Sequence, residues 1–464
     1  MKDILIMGAG PAGMATAMEL YRAGKKFIVV EKDARVGGLS QTYSFGAFRT
    51  DNGPHRFFSK NRYLYDFIKD LLKEDWIVVN RLTRFFIGGK FYRYPVEWKD
   101  TLTTMGPLKA IQILLDYAIA RILYRGKDPK NFEEYAISNF GRSLAEFNVL
   151  NYTEKIWGIP CSELSVDWAS QRIQDLSIWG LIKKVLFGKG GARTLVDQFY
   201  YPAHGTGLIY EKIREKVENG NEFVFNTGPQ RLVHGSGIIR AVHLENGKTI
   251  EPSMVVSSIP VTSLLEALDP APPREVMGAA SKLRYRSQVY LFLTLNKPSV
   301  SKDQWIYFPD RDIPFGRISE MKNFSDCMSP PGETSLFIEF FCWEGDATWN
   351  ASKEELLELA VPWLQKLEFL KKEEIVDSFH LKRKNVYPLY DLAYQTHLSV
   401  VKNYLDSFSN LIYIGRPGRF RYTNQDHSLE MGILAAQTCV GGKRYDLDAV
   451  GAGKEYFEKG YVVS

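Results

Sequence analysis

The stretch DILIMGAGPAGMATAMELYRAGKKFIVVEKD, residues 3–33, decides the fold. ILIM is an unbroken apolar run bounded by a glycine turn, as a buried strand requires. PAGMATAMELYRAG carries helical apolar spacing, and KFIVVEKD is a second apolar run. Strand, helix and strand within some thirty residues read as a βαβ unit, the seed of a parallel sheet. Gly8, Gly10 and Gly13 form GxGxxG at the strand-to-helix turn. The first glycine permits the tight turn, the second lets backbone approach a pyrophosphate, and the third lets the helix pack on the strand. The helix N-terminus then faces an anion. Glu31 ends the second strand, placed for a carboxylate to accept from ribose hydroxyls. Arg35 and the Gly37–Gly38 pair follow and bring a cation and bare backbone to the same pyrophosphate.

Outward from this unit, 464 residues exceed one hydrophobic core, so two or more domains are expected. Charged residues at 24% and apolar residues at 45% are those of a soluble globular chain. A net charge of +5 without a Lys/Arg run excludes a nucleic-acid arm and suits small anionic ligands. The four cysteines (Cys161, Cys327, Cys342 and Cys439) form no CxxC, and the seven histidines form no ligand cluster. Reduced thiols and no metal are therefore expected. The opening MKDILIMGAGPAGMATAM would lose its glycine fingerprint if cleaved, so no signal peptide and a cytoplasmic location are expected. No apolar run is long enough to span a membrane. PLKAIQILLDYAIARILYRG (107–126) and LSIWGLIKKVLFGKGG (176–191) are amphipathic. Core or subunit-contact helices are the first reading for them, and peripheral membrane contact the second. The oligomeric state is left open.

Strands recur at EFVFN, GIIRAVHL and SMVVSSIP, residues from about 100 to 200 read as helices, and from 285 the period switches to two. YRSQVYLFLTLNK, QWIYFPD, PFGRISEM, TSLFIEFFC and EIVDSFHLKRKNVYP suggest a mostly antiparallel sheet. NLIYIG is a short buried strand before a closing helix. The fold class is therefore α/β, a Rossmann-like dinucleotide-binding domain interleaved with two inserts. Its segments are 1–90, 200–280 and 408–464; a helical substrate insert takes 91–199 and a sheet substrate domain 281–407.

The glycine extension after Glu31 and the closing IYIG…HSLEMGILAA resemble the FAD-dependent amine oxidase and protoporphyrinogen oxidase superfamily. That resemblance implies FAD as cofactor, with the last helix pointing its N-terminus at the flavin pyrimidine. Within the superfamily, DNGPHRFFSK, YTEKIWGIPCSELSVDWASQRI, YPAHGTGLIYEKI, WIYFPDRDIPFGRI and RYTNQDHS resemble, in order, segments of eukaryotic-type UDP-galactopyranose mutases. The resemblance implies interconversion of pyranose and furanose forms of a nucleoside-diphosphate sugar through an adduct at N5 of reduced flavin. NADPH or NADH is the candidate reductant.

Carried over by motif, Arg172 and Arg317 grip the diphosphate, and His55 stands on the loop beside the flavin. Tyr307, Tyr387 and Tyr422 surround phosphates and sugar, Asn424 meets sugar hydroxyls, and Tyr152 and Trp157 wall the nucleotide pocket. Gly415, Gln425 and Asp426 serve the flavin. Glu97, in YPVEWKD, stands where the family carries an uracil-contacting amide, and Thr153 where it carries Asn. Pro54 replaces a glycine of the histidine loop, and the segment before NQDHS is two residues short of the family pattern. The alternative is an FAD-dependent oxidoreductase, protoporphyrinogen oxidase-like or a desaturase. An amine oxidase is disfavoured because YRSQVYLFLTL lacks the lysine that such enzymes place over the flavin.

Overall fold

The computed structural model describes residues 3–59, 61–94, 106–168 and 198–451. Glu97, Arg172 and the 176–191 segment lie outside the described residues.

Among the described residues, five parallel strands form the sheet that carries the glycine turn, in the order Leu411–Tyr413, Met254–Ser257, Ile4–Met7, Phe27–Val30 and Glu222–Val224. The central strand Ile4–Met7 is buried throughout, as expected of a parallel strand covered on both faces. It pairs Ile4 with Met254 on one side and with Phe27 on the other. Helix Pro11–Arg22 follows this strand and packs against the last helix, Gln425–Gly441. Gly432 makes that approach possible, because a Cβ there would lie 2.2 Å from the Ala12 carbonyl oxygen and 2.8 Å from Ala15 Cβ. Thr16 Oγ1 donates to the Gly432 carbonyl across the contact.

The larger sheet has seven strands, ordered Ile375–Pro388, Tyr285–Leu295, Thr334–Cys342, Arg317–Glu320, Trp305–Tyr307, Thr83–Ile87 and Lys90–Arg93. All of its pairs are antiparallel except Trp305–Tyr307 with Thr83–Ile87. The five strands read from the period-two pattern are all present. The hairpin Thr83–Ile87/Lys90–Arg93, turning on Gly88 and Gly89 at positive φ, lies far away in sequence yet extends this sheet. Other pairs escaped the sequence reading, among them Thr42–Phe45 with Phe48–Asp51, Trp76–Asn80 with Gln198–Pro202, and Pro229–Gly235 with Ile238–Leu244.

The helical region contains Pro107–Leu123, Phe132–Phe140 and a run from Arg142 to Trp157. The middle of that run, Ala145–Leu150, is wound as a π-helix. The wider turn shifts the phase of every side chain after it, including Tyr152 and Lys155. Gly158 closes the run at φ 67°, and Arg286 Nε donates to the Ile156 carbonyl at its end.

Candidate functional site

Strand register builds the first half of the site. Tyr307 lies opposite Arg317, Arg317 opposite Glu339, and Glu339 opposite Tyr290. Directly opposed residues share a face, so these four side chains form one row across the sheet. Arg317 donates from Nε and Nη2 to the two Glu339 carboxylate oxygens, both at 2.6 Å. Such a fork-to-fork pair fixes the guanidinium plane as well as its position. Glu339 is fully buried, and Gln288 Nε2 donates to its Oε2 at 3.0 Å. Tyr290 in turn donates to Gln288 Oε1 at 2.7 Å. Glu339 holds the Arg317 guanidinium far above the usual arginine range, although burial alone would lower it.

Aromatic rings extend the row. Tyr307 stacks on Phe85 at 4.9 Å and meets Tyr152 edge-on at 5.2 Å. Burial drives the Tyr152 hydroxyl well above its ordinary range, against the pull of Arg317. The phenol therefore stays protonated, able to donate a hydrogen bond. Trp157 is fully buried, packed edge-on against Trp168 and Tyr387. It stands behind the wall formed by Tyr387 rather than on its surface.

The second half comes from the C-terminal segment. Tyr387 and Tyr422 stack at 5.6 Å with 17° between their planes. Arg416 lies over both rings, at 5.2 and 4.8 Å, and donates from Nε to the Thr423 carbonyl at 2.9 Å. The backbone N–H of Tyr422 donates to Tyr390 Oη, which fixes the ring despite the short segment. Asn424 precedes the last helix and is exposed; its N–H faces His427 Nδ1 at 3.4 Å.

His55 joins the halves. Burial, helped by the charges of Arg416 and Arg317, pushes its pKa down to about 3. It is therefore a neutral imidazole at physiological pH. Asp426 lies in the first turn of the last helix, where burial raises its carboxyl to about 7 against the lowering pull of Arg56. Gln425 faces inward, donating from Nε2 to Thr206 Oγ1 at 3.1 Å and to Tyr210.

The dinucleotide end has the form its glycines demand. Gly8 has φ 95°, and a Cβ on Gly13 would lie 2.0 Å from the Gly8 carbonyl oxygen. Gly10 and Gly38 abut, since a Cβ on Gly38 would lie 3.0 Å from Gly10 Cα. Gly415 also has positive φ, and a Cβ there would meet Ala12 Cβ at 3.2 Å. Helix Pro11–Arg22 has no side-chain cap, so its first N–H groups are available to an anion. Glu31 Oε2 accepts from the Ala9 N–H at 2.6 Å and Oε1 from the Asp33 N–H, so it braces the glycine turn. Arg35 is exposed on the adjoining loop.

These residues fit a dinucleotide. Several buried polar atoms on the segment after strand Phe48–Asp51 and in the first turn of the last helix have no hydrogen-bond partner: both polar side-chain atoms of Asn52, His55 Nδ1 and Asp426 Oδ1. Buried polar atoms are nearly always partnered, so such a cluster is what a polar ligand would complete.

Four residues of the site were not singled out in the sequence. Glu339 is the lone charged residue in a nine-residue strand that is apolar from Leu336 on apart from it, a signal that could have found it. Arg416 sits beside the glycine that was assigned to the cofactor. Asp51 accepts from Thr42 Oγ1 and Tyr201 Oη, both at 2.6 Å, and from the Thr206 N–H. Burial raises its carboxyl to about 7. Lys155 Nζ donates to the carbonyls of Phe308, Asp310, Ile313 and Phe315 at 2.6–3.2 Å. Those carbonyls belong to the loop whose two ends are Tyr307 and Arg317.

Comparison with known proteins places this arrangement among relatives. The family model described as flavin containing amine oxidoreductase matches residues 11–417. The chain is 30% identical over 172 residues to a "Probable UDP-galactopyranose mutase" from Klebsiella pneumoniae, covering 35% of this chain and 43% of that one. It is 35% identical over 88 residues to an L-amino-acid oxidase from Crotalus adamanteus, covering 18% of this chain and 17% of that one. The matches thus span less than half of either relative. Among solved structures, a reduced UDP-galactopyranose mutase superposes with a TM-score of 0.84 at 22% identity, covering 97% of this chain and 99% of that chain. At that identity the two share a fold.

Proposed function

The chain belongs to the family of flavin-containing amine oxidoreductases, and within it we propose that it interconverts pyranose and furanose forms of a nucleoside-diphosphate sugar. The observation that carries this reading is the placing of Arg317 against Tyr307 and of Arg416 over Tyr387 and Tyr422, with both guanidiniums acting on His55. Arg317 lies 5.9 Å from the Tyr307 ring centroid, and Tyr387, under Arg416, neighbours Phe341 of the strand that carries Glu339. Two cations and several phenols suit a diphosphate with its sugar, since phenols bond phosphate oxygens without adding charge.

When bound, reduced FAD would supply the nucleophile for such a rearrangement, with NADPH or NADH as reductant. The chain's own residues bind and orient. Arg416, and the Arg317 donors not committed to Glu339, would hold the diphosphate before and after it leaves the sugar. Arg172, on the helical insert, is proposed as a third cation on the same phosphates, and Glu97 as the contact to the base. Tyr307, Tyr387 and Tyr422 would fix the phosphates and exclude water, while Tyr152 donates from its protonated phenol. Trp157 backs the ring of Tyr387. Neutral His55 can accept or donate a proton at a ring nitrogen without bringing a third charge beside two guanidiniums. Asn424 would meet the sugar at the mouth of the last helix. That helix, with Gln425 and Asp426 in its first turn, would place its positive end toward the cofactor.

One observation favours a second reading. Glu339 neutralises much of the Arg317 charge, which suits a less anionic substrate and an FAD-dependent oxidoreductase of the protoporphyrinogen oxidase or desaturase type. A panel of nucleoside diphosphates separates the two. Thermal shift and flavin absorbance should respond to at least one nucleoside diphosphate, and Arg416→Ala should weaken that response about tenfold or more. A protein indifferent to the whole panel would leave the oxidoreductase as the better reading.

A further inference from the structure

Helix Pro107–Leu123 is apolar on two sides. Its inner side packs Ile113, Tyr117 and Ala120 into the core. Gly141 lets the next helix approach so closely that a Cβ there would lie 2.6 Å from the Tyr117 nitrogen. The outer side carries Leu108, Ile111, Leu115, Ile119 and Ile122, a stripe at helical spacing. Leu108 is 85% exposed, Ile122 75% and Leu115 59%. Seventeen residues of helix make this stripe roughly 25 Å long. A helix apolar all round is normally covered all round, and an exposed apolar patch of this length marks a docking surface.

The charges around the stripe select its occupant. Arg121, Arg125, Lys127 and Lys130 are exposed at its C-terminal end, against one exposed acid, Asp128. None of the four cations pairs with a carboxylate among the described residues. The acid within the helix, Asp116, is turned away and accepts from the N–H and hydroxyl of Ser143. A second copy docked on this stripe would offer Asp128 as the one exposed acid against four cations there. Packed parallel, the two basic ends would coincide. An anionic surface meets both the apolar stripe and its cationic end.

We propose that the outer face of helix Pro107–Leu123 seats the protein on an anionic lipid surface, the helix lying in the plane of the headgroups. The aliphatic stripe enters the acyl boundary while Arg121, Arg125, Lys127 and Lys130 meet the headgroups. No described helix is long and apolar enough to cross a membrane, so the attachment is peripheral and reversible. It stands apart from the reaction proposed above.

The test is co-sedimentation of the full chain with phosphatidylcholine vesicles, with and without phosphatidylglycerol. Binding is expected to the mixed vesicles and to weaken with added salt. Leu115→Asp combined with Ile119→Asp should lower the partition about tenfold or more. Arg121→Glu with Arg125→Glu, which leaves the stripe intact, should also lower it about tenfold or more. Leu359→Asp, on the exposed face of helix Lys353–Lys366, should leave it unchanged and so controls for a general loss of folding. Failure to sediment, equal binding to phosphatidylcholine alone, or binding unaffected by both double variants would overturn the proposal. A wild-type dimer that the paired aspartates dissociate would assign the stripe to a second copy and overturn it as well.

Discussion

Glu339 is the residue on which the row across the large sheet depends. It is buried, and it holds Arg317 with two short hydrogen bonds. Removing one partner of a buried ion pair strands the other charge, at a cost of about 3–5 kcal/mol. Glu339→Ala is therefore expected to lower the unfolding free energy by about that amount in urea titration. Glu339→Gln, which keeps one acceptor, should cost less. Asp51 gives a pH signature. Its carboxyl is raised from 3.8 to about 7 in the fold, so the folded state keeps a proton that the unfolded chain has released. The associated stability is complete below about pH 4 and is lost as pH rises through about 7, amounting to about 4 kcal/mol. Asp426 acts in the same direction. His55 and His427 act in the opposite one: their pKa values fall to about 3 and about 4, so stability is lost as pH drops below about 6.5. Asp51→Asn should remove only the first contribution. Relative to wild type, the variant should gain stability steadily from pH 4 to 7 in chemical denaturation, and parallel curves would refute the assignment. At this scale, Arg317, Tyr152, Tyr307 and Tyr422 stood out because each sits in a recognisable motif. Glu339 was not, because its role comes from cross-strand register, which a single strand's sequence does not state.

At the scale of elements, the loop between Trp305–Tyr307 and Arg317–Glu320 is tied to the helical region by Lys155, with the Arg311–Glu154 ion pair beside it. Lys155 gathers four of its carbonyls, and burial lowers its pKa to about 8. The ends of that loop are Tyr307 and Arg317, so slack in it reaches the site directly. Lys155→Met keeps the length of the side chain and removes the donors. It is expected to cost about 1–3 kcal/mol from the carbonyls left without a partner. It should also raise KM for a nucleoside-diphosphate substrate more than it lowers kcat; a variant altered in stability alone would make the lysine purely structural. The long strands, the helices and the parallel unit were legible because their periods are strong and local. The pairs Thr42–Asp51 and Trp76–Asn80 with Gln198–Pro202 were not, because their strands are short or their partners are distant in the chain. The π-helical segment before Tyr152 has no sequence signature either; it reflects the packing of this region rather than a period.

The whole molecule combines a five-stranded parallel sheet, a large antiparallel sheet and a C-terminal helix, with His55 acted on by Arg317 from the large sheet and Arg416 from the C-terminal segment. The interleaved order of the chain makes this possible, since the parallel sheet takes strands from residues 4–7, 27–30, 222–224, 254–257 and 411–413. Family and fold were both legible from the glycine turn and the ordered motifs. The choice between rearrangement and net oxidation was not, because the superfamily uses one scaffold for both and the distinction lies in what the site binds. Anaerobic turnover measures that choice most directly. The protein, reduced with dithionite, is mixed with UDP-galactofuranose and other nucleoside-diphosphate sugars while product and flavin spectrum are followed together. The account predicts conversion between furanose and pyranose forms over many turnovers, with the flavin still reduced at the end. Absence of conversion across these sugars, together with stoichiometric flavin reduction of the oxidised protein by an amine or porphyrinogen, would contradict it.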